Sequence, residues 1–139
     1  MLTRALACLL LIGGMAVAAA AEDAKVLALG ITDHAPTQAD LEKGGALPQP
    51  KFNTPAVAYV LAANLKKGDT VEISLMNEGR SLMHNTETLA EDRPSFMLLV
   101  GKRGVPAGGW PEGTYQAGLK ITRDGKTVIE DKSKAIPFN

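Results

Sequence analysis

Thr114-Tyr115-Gln116-Ala117-Gly118-Leu119-Lys120-Ile121-Thr122-Arg123-Asp124-Gly125-Lys126 is the stretch on which the fold turns. Tyr115, Ala117, Leu119 and Ile121 recur at every second position, with Gln116, Lys120 and Thr122 between them. A period of two places one set of side chains in a core and the other in water, which describes a half-buried β-strand. Arg123-Asp124-Gly125-Lys126 then reads as a hairpin turn. Asp-Gly tolerates the positive φ angles that a type I′ turn demands. Thr127 to Glu130 runs back, and Ala135 to Phe138 makes a short terminal strand.

The same period extends towards the N-terminus. Val71, Ile73 and Leu75 alternate with Thr70, Glu72 and Ser74, and Val57, Tyr59 and Leu61 alternate before them. Lys66 to Asp69 and Asn77 to Arg80 are turns between these runs. Ser81 to Thr88 forms a further strand with Leu82, His84 and Thr86 on one side. Phe96 to Val100 and Lys25 to Thr32 are apolar on both faces. About seven strands at this spacing, with no regular alternation of strand and long helix, predict an all-β, two-sheet antiparallel sandwich. Asp33 to Asn53 is the least regular segment, and Pro48 and Pro50 keep it so. A short helical turn is expected near 37–43, started by Pro36 and stopped by Gly44-Gly45. The whole segment is expected to cross from one sheet to the other.

The first residues belong to a different class. Arg4 is followed by the apolar run Ala5 to Ala20, which ends in small residues just before Glu22-Asp23. A basic start, an apolar stretch and an Ala-x-Ala exit describe a secretory signal, expected to be cleaved after Ala20 or Ala21. Domain organisation then reads as a signal peptide over 1–21 and one β-sandwich over 22–139, placed in the periplasm or secreted, with no membrane span once the signal is gone. Cys8 is the sole cysteine and lies inside the signal, so no disulfide, thiolate nucleophile or cysteine–metal site is expected in the mature chain. Fifteen basic residues balance fifteen acidic ones. Nucleic-acid binding needs a basic surface to displace counterions from phosphates, and nothing here supplies one.

Gly109-Trp110-Pro111-Glu112-Gly113-Thr114-Tyr115, the Arg123-to-Lys126 turn, the closing Ile136-Pro137-Phe138, and Leu65 to Val71 together resemble bacterial extracytoplasmic immunoglobulin-like or fibronectin type III-like modules. The resemblance covers about half of the mature chain and implies an immunoglobulin-like sandwich in which the Tyr115 hydroxyl bonds backbone a few residues upstream. Ala117 stands where antibody-type domains carry a cysteine, which excludes the disulfide-bearing class. The resemblance implies a fold and no activity.

No catalytic or cofactor motif stands out. Ser74, Ser81, Ser95 and Ser133 sit in no Gly-x-Ser-x-Gly frame, and Glu91-Asp92 and Glu130-Asp131 read as solvated turns. Gly101-Lys102 is followed by Arg103 rather than Ser or Thr, so the glycines there make no phosphate-binding loop. The expectation is a protein that is not an enzyme and takes no cofactor. Its leading function is a binding or scaffolding module whose partner is an envelope protein or a glycan. The candidate partner-binding loop is Gly101 to Gly113, with Lys102, Arg103, Val105 and Trp110 as its residues. Its thirteen residues exceed the two to five that a hairpin needs, and that surplus marks it as a binding surface, against the equally weighted reading of a segment that merely crosses between sheets. Two alternatives stand beside this reading. One is carbohydrate stacking on Trp110, which needs an exposed indole, against the favoured reading of a ring that plugs the end of the core. The other is a copper carrier using His34, His84 and methionines such as Met76, Met83 and Met97, against the plainer reading of methionines as core filler.

Overall fold

In the computed structural model the described residues are 23–102 and 104–139, Lys102 by its backbone alone. The apolar N-terminal run, with Cys8 and the expected cleavage site, lies outside them, as does Arg103. The elements in chain order are β1 (Lys25–Thr32), α1 (Gln38–Glu42), β2 (Ala56–Leu65), β3 (Thr70–Asn77), β4 (Arg80–Thr88), β5 (Arg93–Lys102), β6 (Thr114–Arg123), β7 (Lys126–Lys132) and β8 (Ile136–Pro137). They form two antiparallel sheets, β1-β2-β5 and β4-β3-β6-β7, with β8 pairing the start of β6. The all-β sandwich and its short helix thus stand as the sequence pattern predicts, with seven longer strands and a two-residue eighth.

The alternation seen in the sequence is the core. Val71, Ile73, Leu75, Tyr115, Ala117, Leu119 and Ile121 are all buried, and β3 and β6 pair through them as Ile73 opposite Leu119 and Leu75 opposite Ala117. The opposing sheet contributes Ala56, Ala58, Val60 and Ala62 from β2 with Phe96 and Leu98 from β5. Small side chains on β2 let the sheets approach over the bulkier β3 and β6. Burying each such aliphatic side chain contributes about 1.5–3 kcal/mol.

β2 is covered on its other face too. Val57, Leu61 and Ala63 are buried there, and α1 packs on β1 and β2 with its Leu41 buried. Thr37 starts that helix: its hydroxyl accepts from the Asp40 N–H at 3.1 Å, and Asp40 accepts the Thr37 N–H at 3.0 Å, a reciprocal cap that satisfies two otherwise free donors. Gln38 Nε2 donates to Ser95 Oγ at 2.9 Å and ties α1 to β5.

One sequence expectation is overturned here. Asp33 to Asn53 does not cross between sheets. β1 and β2 are antiparallel neighbours in one sheet, with Gly30 opposite Tyr59 and Thr32 opposite Val57. The segment loops over the outer face of that sheet because apolar residues on β2 need a cover there. It also straps the β1 side of the sandwich: Thr32 Oγ1 donates to the Pro48 carbonyl at 2.8 Å and Gln49 Nε2 to that of Pro137 at 2.7 Å.

Candidate functional site

The sandwich has two poles. At one lie the β2–β3 turn, the β4–β5 connection, the β6–β7 hairpin and the N-terminal side of β1. At the other lie the start of β2, the β3–β4 turn, the ends of β1 and β5, and the residue 104–113 loop.

The first pole is locked. Asp69, 1% exposed, accepts Arg123 Nε at 2.9 Å, Arg123 Nη2 at 2.8 Å and the Lys66 N–H at 2.8 Å. The Arg123 hydrogen bonds, helped by the Lys66 N–H, hold the Asp69 carboxyl below the usual carboxylate range against its burial. Leu89 and Asp69 exchange backbone bonds with the same turn, and Asp92 Oδ1 accepts the Lys67 N–H at 2.8 Å. Asp124 and Gly125 have φ of 54° and 78°, the pair of positive values a type I′ turn requires.

The second pole carries the predicted loop. Its base is rigid. Trp110 is 6% exposed, donates Nε1–H to the Thr54 carbonyl at 2.7 Å, and meets Tyr115 and Phe138 edge-on at 6.3 and 5.9 Å between ring centroids. Tyr115 stacks on Phe138 at 3.7 Å and donates its hydroxyl to the Pro111 carbonyl four residues upstream. Glu78, in the β3–β4 turn, accepts both the Thr114 N–H at 2.6 Å and its hydroxyl at 3.0 Å, which keeps that carboxyl low. The indole therefore plugs the end of the core, and no face of it is open for stacking. Val105 stands out from the loop, 37% exposed. The backbone of Lys102 ends β5 opposite Ala56, and Arg103 lies outside the described residues.

The topology decides between the two readings of the loop's length, in favour of a crossing between sheets. β5 and β6 belong to different sheets, so a hairpin of two to five residues could not join them. The loop has to span the sandwich, and its length alone marks nothing.

What marks this pole instead is apolar surface. Two open clefts flank the end of β5 and share Val100 and Gly101. One, of about 430 Å³, lies among Asp33, His34, Ala35, Pro55, Val57 and Leu99. The other, of about 470 Å³, lies among Leu82, Met83, Pro106, Trp110 and Pro111, with loop residues along one wall. Phe52, 51% exposed, borders a third cleft of about 420 Å³ with Gly108, Trp110 and Phe138. Gly101 is required by packing: a Cβ there would sit 2.4 Å from the Ala56 carbonyl oxygen. Phe52 and Leu82 are the residues that sequence reasoning missed as surface. Phe52 follows an irregular Pro-rich segment, where no period reports its facing. Leu82 is extruded by a register shift between Leu75 and Met76.

The structure does not bring the two histidines together. His34 follows β1 at the loop pole, with Nδ1 2.8 Å from Asp33 Oδ1. His84 lies in the middle of β4 in the other sheet, paired with Ser74 on the outer face. Met83 leans towards the core, and Met76 lies against Gly118. Among the described residues no group of three or more His, Cys, Asp or Glu stands close enough to hold a metal ion. No helix among them is long and apolar enough to cross a membrane.

The fold and its poles define an antiparallel β-sandwich with one end tied by a buried ion pair and the other flanked by open clefts. No protein-family model matches the chain, and no curated protein matches it in sequence.

Proposed function

We propose that this protein is an exported, non-enzymatic binding module of immunoglobulin-like type that acts in the periplasm or at the cell envelope. In this reading the loop pole engages the apolar surface of a partner protein. The observation that carries it is the set of three adjoining clefts at that pole, with Phe52 and Leu82 exposed along them and Val105 exposed on the loop beside them. Such patches mark interaction sites more often than they occur by chance on a monomer. The signal-like N-terminus supports export, and the Tyr115-to-Pro111 bond, with a three-stranded sheet facing a four-stranded path, supports the immunoglobulin-like kinship. Trp110 serves as the anchor of this surface from beneath it, while Val105 and Phe52 are the contact residues.

The test compares the envelope proteins retained by the parent with those retained by a Phe52→Asp, Val105→Asp double variant of matched melting temperature. Loss of at least one specifically retained protein is expected. Retention of the same set by both would sink the reading. Glycan arrays run on the same pair decide whether a sugar takes that place.

A further inference from the structure

Apart from the two-residue β8, the two sheets end in four edge strands, β1 and β5 in one and β4 and β7 in the other. Edges expose unpaired peptide groups, and a bulge blunts them by breaking their regular spacing. Three of the four carry one. The register skips Leu27 in β1, Leu82 in β4 and Val128 in β7, and these extruded side chains are 53%, 39% and 44% exposed. The fourth, β5, runs ten residues along β2 with no register shift.

Strand geometry shows which groups of β5 are free. Successive residues turn their N–H and C=O to alternate edges. The Leu99 carbonyl points away from β2, because it accepts Asn85 Nδ2 from the other sheet at 2.9 Å. Ser95, Met97 and Gly101 share that orientation. Pro94, which has no N–H, falls on the β2 side and costs the free edge nothing.

The chain along this edge is also complementary to itself. Glu91-Asp92 precede the strand, Lys102 ends it, and Phe96 to Val100 between them carry no charge. Antiparallel pairing about a two-fold axis at Met97 sets Ser95 opposite Leu99, Arg93 opposite Gly101 and Asp92 opposite Lys102 of the second copy. Acid then meets base at both ends, and opposite charges directly across two strands favour pairing. Registers two residues to either side lose both ion pairs, setting Lys102 opposite Ala90 or Pro94. Asn85 uses one lone pair of the Leu99 carbonyl and leaves the other for the incoming Ser95 N–H.

We infer from this edge that two copies of the chain pair through β5 about a two-fold axis at Met97, joining their three-stranded sheets into one continuous sheet. The interface is isologous, the commonest form for a homodimer. It rests on the strand edge rather than on the loop-pole clefts, so it and the proposed function fail separately.

The experiment is sedimentation of protein expressed from the full sequence, at micromolar to millimolar concentration. The parent forms a dimer that weakens with added salt. Asp92→Lys and Lys102→Glu each weaken it about tenfold or more, since each replaces two attractions by two repulsions. An equimolar mixture of the two variants restores a dimer, because every acid again faces a base. That recovery separates lost pairing from lost folding, as Asp92 also accepts the Lys67 N–H. A parent that stays monomeric at millimolar concentration overturns the inference. So does a dimer that both single reversals leave unchanged, or a mixture that stays as weak as its components.

Discussion

The two poles of the sandwich are built on different principles. At the pole of the β2–β3 turn, three short connections converge on one buried carboxylate, Asp69, which binds Arg123 and the Lys66 N–H. Polar groups there are spent on each other. At the loop pole a long connection, 104–113, lies beside the two-residue β3–β4 turn, and the groups fixed at its base are aromatic. The contrast teaches that two ends of one core can be fixed by different chemistry: one by a buried ion pair, the other by a rigid aromatic base beside open clefts.

The largest effect expected from breaking that contrast comes at the base of the loop pole. Trp110→Ala removes the plug shared by Tyr115 and Phe138 and leaves the Thr54 carbonyl without its donor, at a cost of about 3–5 kcal/mol. Denaturant unfolding checks it; a loss near zero would mean the ring is not the anchor of that pole.

Next comes the tied pole. Asp69→Ala strands the Lys66 N–H and the Arg123 guanidinium and is expected to cost about 3 kcal/mol, at the low end because Arg123 is itself 27% exposed. Its pH dependence sharpens the point. The folded-state pKa of Asp69 is depressed. The stability it brings is therefore complete above the unfolded carboxylate value of about 3.9, and is lost as pH falls through the lower folded value. Unfolding curves of the parent and of Asp69→Asn should converge as pH drops below about 4. Parallel curves down to acid unfolding would show that the pair contributes nothing.

A smaller loss is expected at the hairpin tip of the same pole. Gly125 has φ of 78° with open space around it, so Gly125→Val meets backbone strain and no clash, about 1–2 kcal/mol. An unchanged thermal melt would place the turn elsewhere. The smallest effect separates the poles most sharply. Phe52→Ser at the exposed surface should leave stability within about 0.5 kcal/mol while lowering partner retention. A large loss of stability would show that this surface, too, is structural.

Much of the frame is legible in the chain itself. Ile73, Leu75, Leu119 and Ile121 face the core because a strand turns alternate side chains to opposite faces, a local rule that needs no partner. Asp124-Gly125 announces its hairpin by backbone sterics alone. The hydroxyl bond of Tyr115 was legible through the family resemblance. Pairing is another matter. Whether Asp33 to Asn53 crosses the sandwich, or Gly101 to Gly113 must, depends on which strands become neighbours, and that is settled by how the two apolar faces close over one another. The same closure buries Trp110 and leaves Phe52 exposed, though both are aromatic residues in proline-containing connections. The bulges at Leu27, Leu82 and Val128 likewise exist only as mismatches between paired strands. Local periodicity determined where the strands run and, on β3 and β6, which way they face; on β2 both faces are covered and the period does not choose between them. Contacts between residues far apart in sequence decided which edges, clefts and aromatic rings meet water, because exposure belongs to an assembled surface and not to a segment.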